Sequence, residues 1–211
     1  MIETPTVLIL GAGASQPYEF PSGQELIKKI IEITLDPNSE LFHNLLSTGF
    51  YKEDFIQSFG GILRFAKPPS IDLFLKENEQ FAEIGKLSIA AALLPCENYD
   101  HLISETYDDG WYEYIYHRLL RECTFNNFTK NKLDIITFNY DRSLEVFLWT
   151  VFLGFYKQSE ENALRILKHI NIIHVYGSLG PLSWQTDNAD AVIDYNGRVN
   201  TDCLQKCAKL P

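Results

Sequence analysis

The stretch Thr6-Val7-Leu8-Ile9-Leu10-Gly11-Ala12-Gly13-Ala14-Ser15 decides the fold class. Its aliphatic run is too short for an ordinary helix, and Gly11 and Gly13 end it at once. Such a run predicts a fully buried parallel strand entering a tight turn. In that turn the missing side chains let backbone N–H groups approach a pyrophosphate, and a following helix would add the positive end of its dipole. A glycine pair after a strand also suits a plain tight turn, so the stretch alone names no ligand. The third glycine of the dehydrogenase fingerprint is absent, and no acidic residue closes a clear second strand about 20 residues on, which disfavours hydride transfer.

Two further stretches have the same design. Leu133 to Thr137 and Ile170 to Val175 are short β-branched apolar runs that predict central parallel strands, and each leads into a polar motif. The first motif is Thr137-Phe138-Asn139-Tyr140-Asp141, where an Asx turn with Asp141 capping the next helix is as good a reading as a ligand contact. The second is His174-Val175-Tyr176-Gly177-Ser178-Leu179-Gly180, where a lone histidine is by itself more often a core or surface residue. Between the two runs, Arg142 to Tyr156 has helical length and composition, giving a strand-helix-strand unit with its polar motifs at one sheet edge. Ligands of open α/β sheets bind at that edge.

The rest of the chain reads as helical. Ser22-Gly23-Gln24-Glu25 has capping-box spacing, and the isoleucines after it share a face, predicting a helix from about Gly23 to Leu35. One or two short helices are expected before Pro68-Pro69, then one helix from Ser70-Ile71-Asp72 through Leu94 to Pro95, and a third long helix over Trp111 to Cys123. At the carboxyl end, Ala191 to Val199 offers at most a hairpin around Asn196-Gly197.

A chain of 211 residues with 45% hydrophobic content can bury one sizeable core, and its formal charge of −10 opposes a direct grip on nucleic acid. Cys96, Cys123, Cys203 and Cys207 contain no C-x-x-C pair, so no zinc ribbon or disulfide framework is expected, and reduced cytoplasmic thiols fit best. The apolar stretch Val146 to Phe155 is about half the roughly 20 residues a membrane span needs, and no export signal opens the chain, so no membrane partner is expected.

The ordered set Gly11-Ala12-Gly13-Ala14-Ser15, Thr137 to Asp141, and His174 to Gly177, each after an apolar strand, resembles the sirtuin-like superfamily, especially its bacterial NAD-hydrolase branch from antiphage defence systems. Phe20-Pro21-Ser22-Gly23 and Ser70-Ile71-Asp72 are also similar to that branch. The resemblance implies an α/β fold: a Rossmann-type three-layer parallel sheet with an inserted helical lobe at about residues 22–130. It would form a single NAD-binding domain over 1–211, truncated at the carboxyl end. It further implies Asn139 and His174 as the catalytic pair, Asn139 on the nicotinamide ribose or an attacking water and His174 as general base. Gly11, Ala12, Gly13 and Ser15 would hold the pyrophosphate, Asp141 would accept from the carboxamide, and Asp72, Gly177 and Ser178 would complete the NAD-binding set.

The residue types suit that chemistry independently. Leaving of nicotinamide builds positive charge on the ribose, which calls for a fixed sugar, a polar neighbour and a nearby nucleophile. An imidazole can take a proton from water or a hydroxyl near neutral pH. Against the deacylase pattern, Phe138 replaces the glutamine before the asparagine, a Phe-Arg pair is missing after the glycine turn, and no four-cysteine zinc module follows, so no metal is expected. Water is therefore the expected acceptor, with a deacylase or ADP-ribosyltransferase and a noncatalytic NAD or ADP-ribose sensor as alternatives. By the same resemblance, control by a regulatory or sensor protein of a defence system, or by homo-oligomerisation, is expected.

Overall fold

Strand β1 (Thr6–Leu10) is followed by helices α1 (Gly23–Leu35), α2 (Glu40–Ser47), α3 (Glu53–Ala66), α4 (Ile71–Glu77), α5 (Ala82–Leu93), α6 (Tyr99–Ile103) and α7 (Trp111–Leu120). Then come β2 (Leu133–Thr137), α8 (Ser143–Tyr156), α9 (Glu160–Leu167), β3 (Asn171–His174) and α10 (Thr201–Cys207). This computed structural model describes residues 1–103, 110–156, 159–195 and 199–209. The chain divides into two compact units, one of Met1–Tyr18 with Tyr99–Ser178 and the other of Glu19–Asn98 with Leu179–Pro211.

The first unit is α/β. Its sheet is parallel in the order β1-β2-β3, with Leu10, Thr137 and His174 level across it. The ladder runs past the strand ends, Phe138 N–H donating to Leu10 O and Val175 N–H to Thr137 O, both at 2.9 Å. Those bonds fix the two polar motifs at the carboxyl edge before any side chain is considered.

The sheet corrects two expectations. Thr6–Leu10 is not fully buried: Val7 and Ile9 are 54% and 70% exposed, and across the sheet Ile173 is 46% exposed. Only β2 is central, with β1 and β3 at the edges among the described residues. The reason is topological. Both parallel steps go the same way across the sheet, and right-handed crossovers then fall on one face. Ile135 and Leu133 are buried on that face, while the third layer of the expected arrangement is not formed by the described residues. Replacing Ile9 with threonine, which keeps the β-branch, is therefore expected to change stability by less than about 0.5 kcal/mol in thermal unfolding.

The second unit is helical. Ser22 accepts from Glu25 N–H while Glu25 reaches back to Ser22 N–H, the reciprocal cap that the spacing predicts, and α1 runs over Gly23–Leu35. The single helix expected from Ser70 to Leu94 is two, α4 and α5. Asn78 leaves helical backbone and its side-chain amide donates to Phe74 O at 2.9 Å, while Phe81 just beyond is buried against Phe59 and Phe74. Burying that ring offsets the helical bonds lost at the break. Between Glu53 and Ala66 the weakly patterned region forms a longer helix than expected, α3, and α1 packs on it through Gly60. A Cβ there would meet Thr34 Oγ1 and lie 2.9 Å from Thr34 Cβ, and Thr34 is fully buried. Gly60→Ala is accordingly expected to destabilise by about 1–3 kcal/mol in denaturant titration, through overpacking against a stiff β-branched neighbour.

The third long helix, expected to Cys123, ends at Leu120. The hairpin expected around Asn196-Gly197 lies outside the described residues. Among the described residues no helix is long and apolar enough to cross a membrane.

Candidate active site

All of the site described below belongs to the α/β unit. Residues 12–14 form a short 3-10 turn that begins at Gly11, whose backbone is extended at φ −124° and ψ −175°. Neither Gly11 nor Gly13 has positive φ, and among the described residues a Cβ on Gly11 would meet nothing within 4 Å. Packing among the described residues thus makes no demand for glycine at 11, and the turn leaves bare backbone exposed. Trp111, the first residue of α7, pins the turn from behind by donating its indole N–H to Ala14 O at 2.7 Å.

Asn139 reaches back to that turn. Its Nδ2 donates to Gly11 O at 3.0 Å and to Ser15 Oγ at 2.8 Å, and since a carbonyl can only accept, the amide orientation follows from the network. Both amide hydrogens are then used within the chain, leaving Oδ1 as the group Asn139 can offer to a ligand. Ser15 passes the chain on, donating its hydroxyl to Asp141 Oδ2 at 2.7 Å. Asp141 Oδ1 accepts from Ser143 N–H at 3.2 Å, which is the expected Asx turn at the start of α8. Both carboxylate oxygens of Asp141 are therefore taken by donors of the chain itself. Burial raises the Asp141 pKa above the ordinary value, an effect that the bonds from Ser15 and Ser143 oppose and the Glu145 charge reinforces.

His174 closes the cluster at the end of β3. Its Nδ1 lies 2.8 Å from Asn139 O and its Nε2 lies 2.7 Å from Glu145 Oε1, with the imidazole and carboxylate side chains only 13% and 8% exposed. Burial alone works against the imidazolium. The Glu145 hydrogen bond and charge, the Asn139 carbonyl and the Asp141 charge together outweigh it, and the His174 pKa rises above 6.5.

The structure thus brings Ser15, Asn139, Asp141 and His174, four of the residues expected from sequence, around one recess, and ties a fifth, Gly11, to it through the bond from Asn139. Its inner space has room for about one water molecule. Ala12 and Gly13 lie in the 3-10 turn beside it. Gly177 holds the left-handed turn after β3 at φ +83°, a conformation that favours glycine, and neither it nor Ser178 lines the recess. Asp72 belongs to the second unit, near the start of α4.

Sequence reasoning missed Glu145 and Trp111. A signal for Glu145 existed: it is the one charged residue in Ser143-Leu144-Glu145-Val146-Phe147-Leu148-Trp149-Thr150-Val151-Phe152-Leu153-Gly154-Phe155-Tyr156, and a carboxylate on so apolar a helix needs a partner. Comparison with family models, with curated proteins and with solved structures gives no match.

Proposed function

We propose that the chain hydrolyses NAD to nicotinamide and ADP-ribose. The observation that carries this reading is the convergence of Asn139 and His174 beside the bare glycine turn, at the carboxyl edge of a parallel sheet where α/β folds take their ligands. In this reading the pyrophosphate lies over the backbone of residues 11–15, and Asn139 Oδ1 accepts from a ribose hydroxyl or orients a water. The water oxygen bonds to the ribose carbon, the bond to nicotinamide breaks with its electron pair going to the ring nitrogen, and the water proton passes to the His174 side. Asp141 supports the site from below by holding Ser15 and the start of α8. A role as toxic effector in antiphage defence, silent until a partner or self-assembly releases it, belongs to the same proposal.

Incubation of the full chain with NAD, with its releasing trigger supplied and nicotinamide followed by chromatography, tests it. Release well above that of Asn139→Ala and His174→Ala supports it, and release no faster than from those variants removes it. One observation favours a second reading, a sensor that binds without turnover: Asn139 Nδ2, both Asp141 oxygens and both His174 nitrogens are already bonded within the chain. Tight NAD or ADP-ribose binding in calorimetry without nicotinamide release would support that alternative.

A further inference from the structure

The imidazole of His174 has no open nitrogen. Asn139 O can only accept, so Nδ1 carries a hydrogen, and Nε2 faces a Glu145 oxygen at 2.7 Å. A bare Nε2 lone pair against an ionised carboxylate would be repulsive, so one proton lies between them, on nitrogen or on oxygen. A histidine in this state cannot take a proton from water.

We propose that Glu145 is a positioning residue acting through His174: the two side chains share one proton, and the site gains its base only when that proton has left the pair. The first half stands on geometry alone, and the second rests on the NAD-hydrolysis reading. With the shared proton gone to solvent, the site holds an Nδ1–H imidazole and a carboxylate; water then attacks the ribose carbon, its proton fills the shared position, and nicotinamide departs with the bonding pair. The charged groups facing the imidazole are Glu145 from α8 and Asp141 from the loop before it, while α7 contributes the indole of Trp111 and the phenol of Tyr112 to the same recess. Glu145→Gln would leave the imidazole neutral and satisfied, because the new amide can donate to Nε2.

The test is a pH titration of His174 by NMR in the histidine-labelled full chain, as wild type, Glu145→Gln and Glu145→Asp, with the His174→Gln variant assigning the signal among the five histidines. The wild-type midpoint is expected above that of an ordinary histidine, and Glu145→Gln is expected to lower it by about one to three pH units, with Glu145→Asp between. Equal midpoints in wild type and Glu145→Gln would overturn the proposal. Nicotinamide release should show its acid limb moving to lower pH by the same amount in Glu145→Gln; a uniformly lower rate with an unmoved limb would mean Glu145 is merely structural, and would overturn the second half. Should wild type cleave no NAD at any pH, the hydrolase reading fails while the NMR midpoints still decide the pairing. If neither Glu145 variant folds, wild-type stability decides. A histidine pKa raised by folding contributes stability that is full below about 6.5 and lost as pH rises through the folded value. Melting temperature should therefore fall across that window in wild type relative to His174→Gln, and parallel curves would overturn the proposal.

Discussion

Asn139→Ala is expected to slow nicotinamide release by about 10²–10³-fold, the scale seen when one preorganised hydrogen-bonding group is removed from a reacting centre. Two losses combine. The Oδ1 acceptor disappears, and Nδ2 no longer ties Gly11 O and Ser15 Oγ together, so the turn that would carry the pyrophosphate loses its brace. His174→Ala should cost about 10²–10⁴-fold for loss of a proton acceptor. Because the Asn139 amide would hold the ribose or water whose proton passes to the His174 side, the double variant should be little worse than the less active single one, as in groups that act as a unit. Full additivity in kcat would mean that the two residues work separately. Retained activity in Asn139→Ala would remove the amide from the mechanism.

Phe59→Ala is expected to destabilise the helical unit by about 3–5 kcal/mol, the cost of deleting a fully buried aromatic ring. Phe59 has no exposed surface, and its ring lies 5.5 Å from Phe81 and 6.2 Å from Phe74, centroid to centroid. The cluster joins α3 to α4 and to the turn before α5. Its removal would undo the reason the chain breaks at Asn78. Thermal unfolding by circular dichroism should show a drop of about 6–20 °C, given about 2–4 °C per kcal/mol for a chain of this size. A loss under about 1 kcal/mol would mean that the cavity collapses freely.

The sequence carried β1 and β2 to their observed ends, because a short β-branched run stopped by glycine or asparagine has few other uses. It carried α1 to the residue, because the Ser22–Glu25 cap is a local device that needs no distant partner. Five residues of the expected site also meet in space, for a topological reason: parallel strands deliver the ends of 10, 137 and 174 to one edge. Glu145 escaped because its partner lies 29 residues away, and no local pattern records such a pairing.

What the amino-acid order determined by itself is therefore whatever neighbouring residues can settle among themselves: strand and helix identity, caps, turns, and the placing of polar motifs after apolar runs. Tertiary structure alone decided that the described residues leave one face of the sheet exposed, that the helix after Ser70 breaks to bury Phe81, and that His174 is held at both nitrogens. Each of these depends on groups far apart in the chain, since burial and protonation respond to what surrounds a side chain in space.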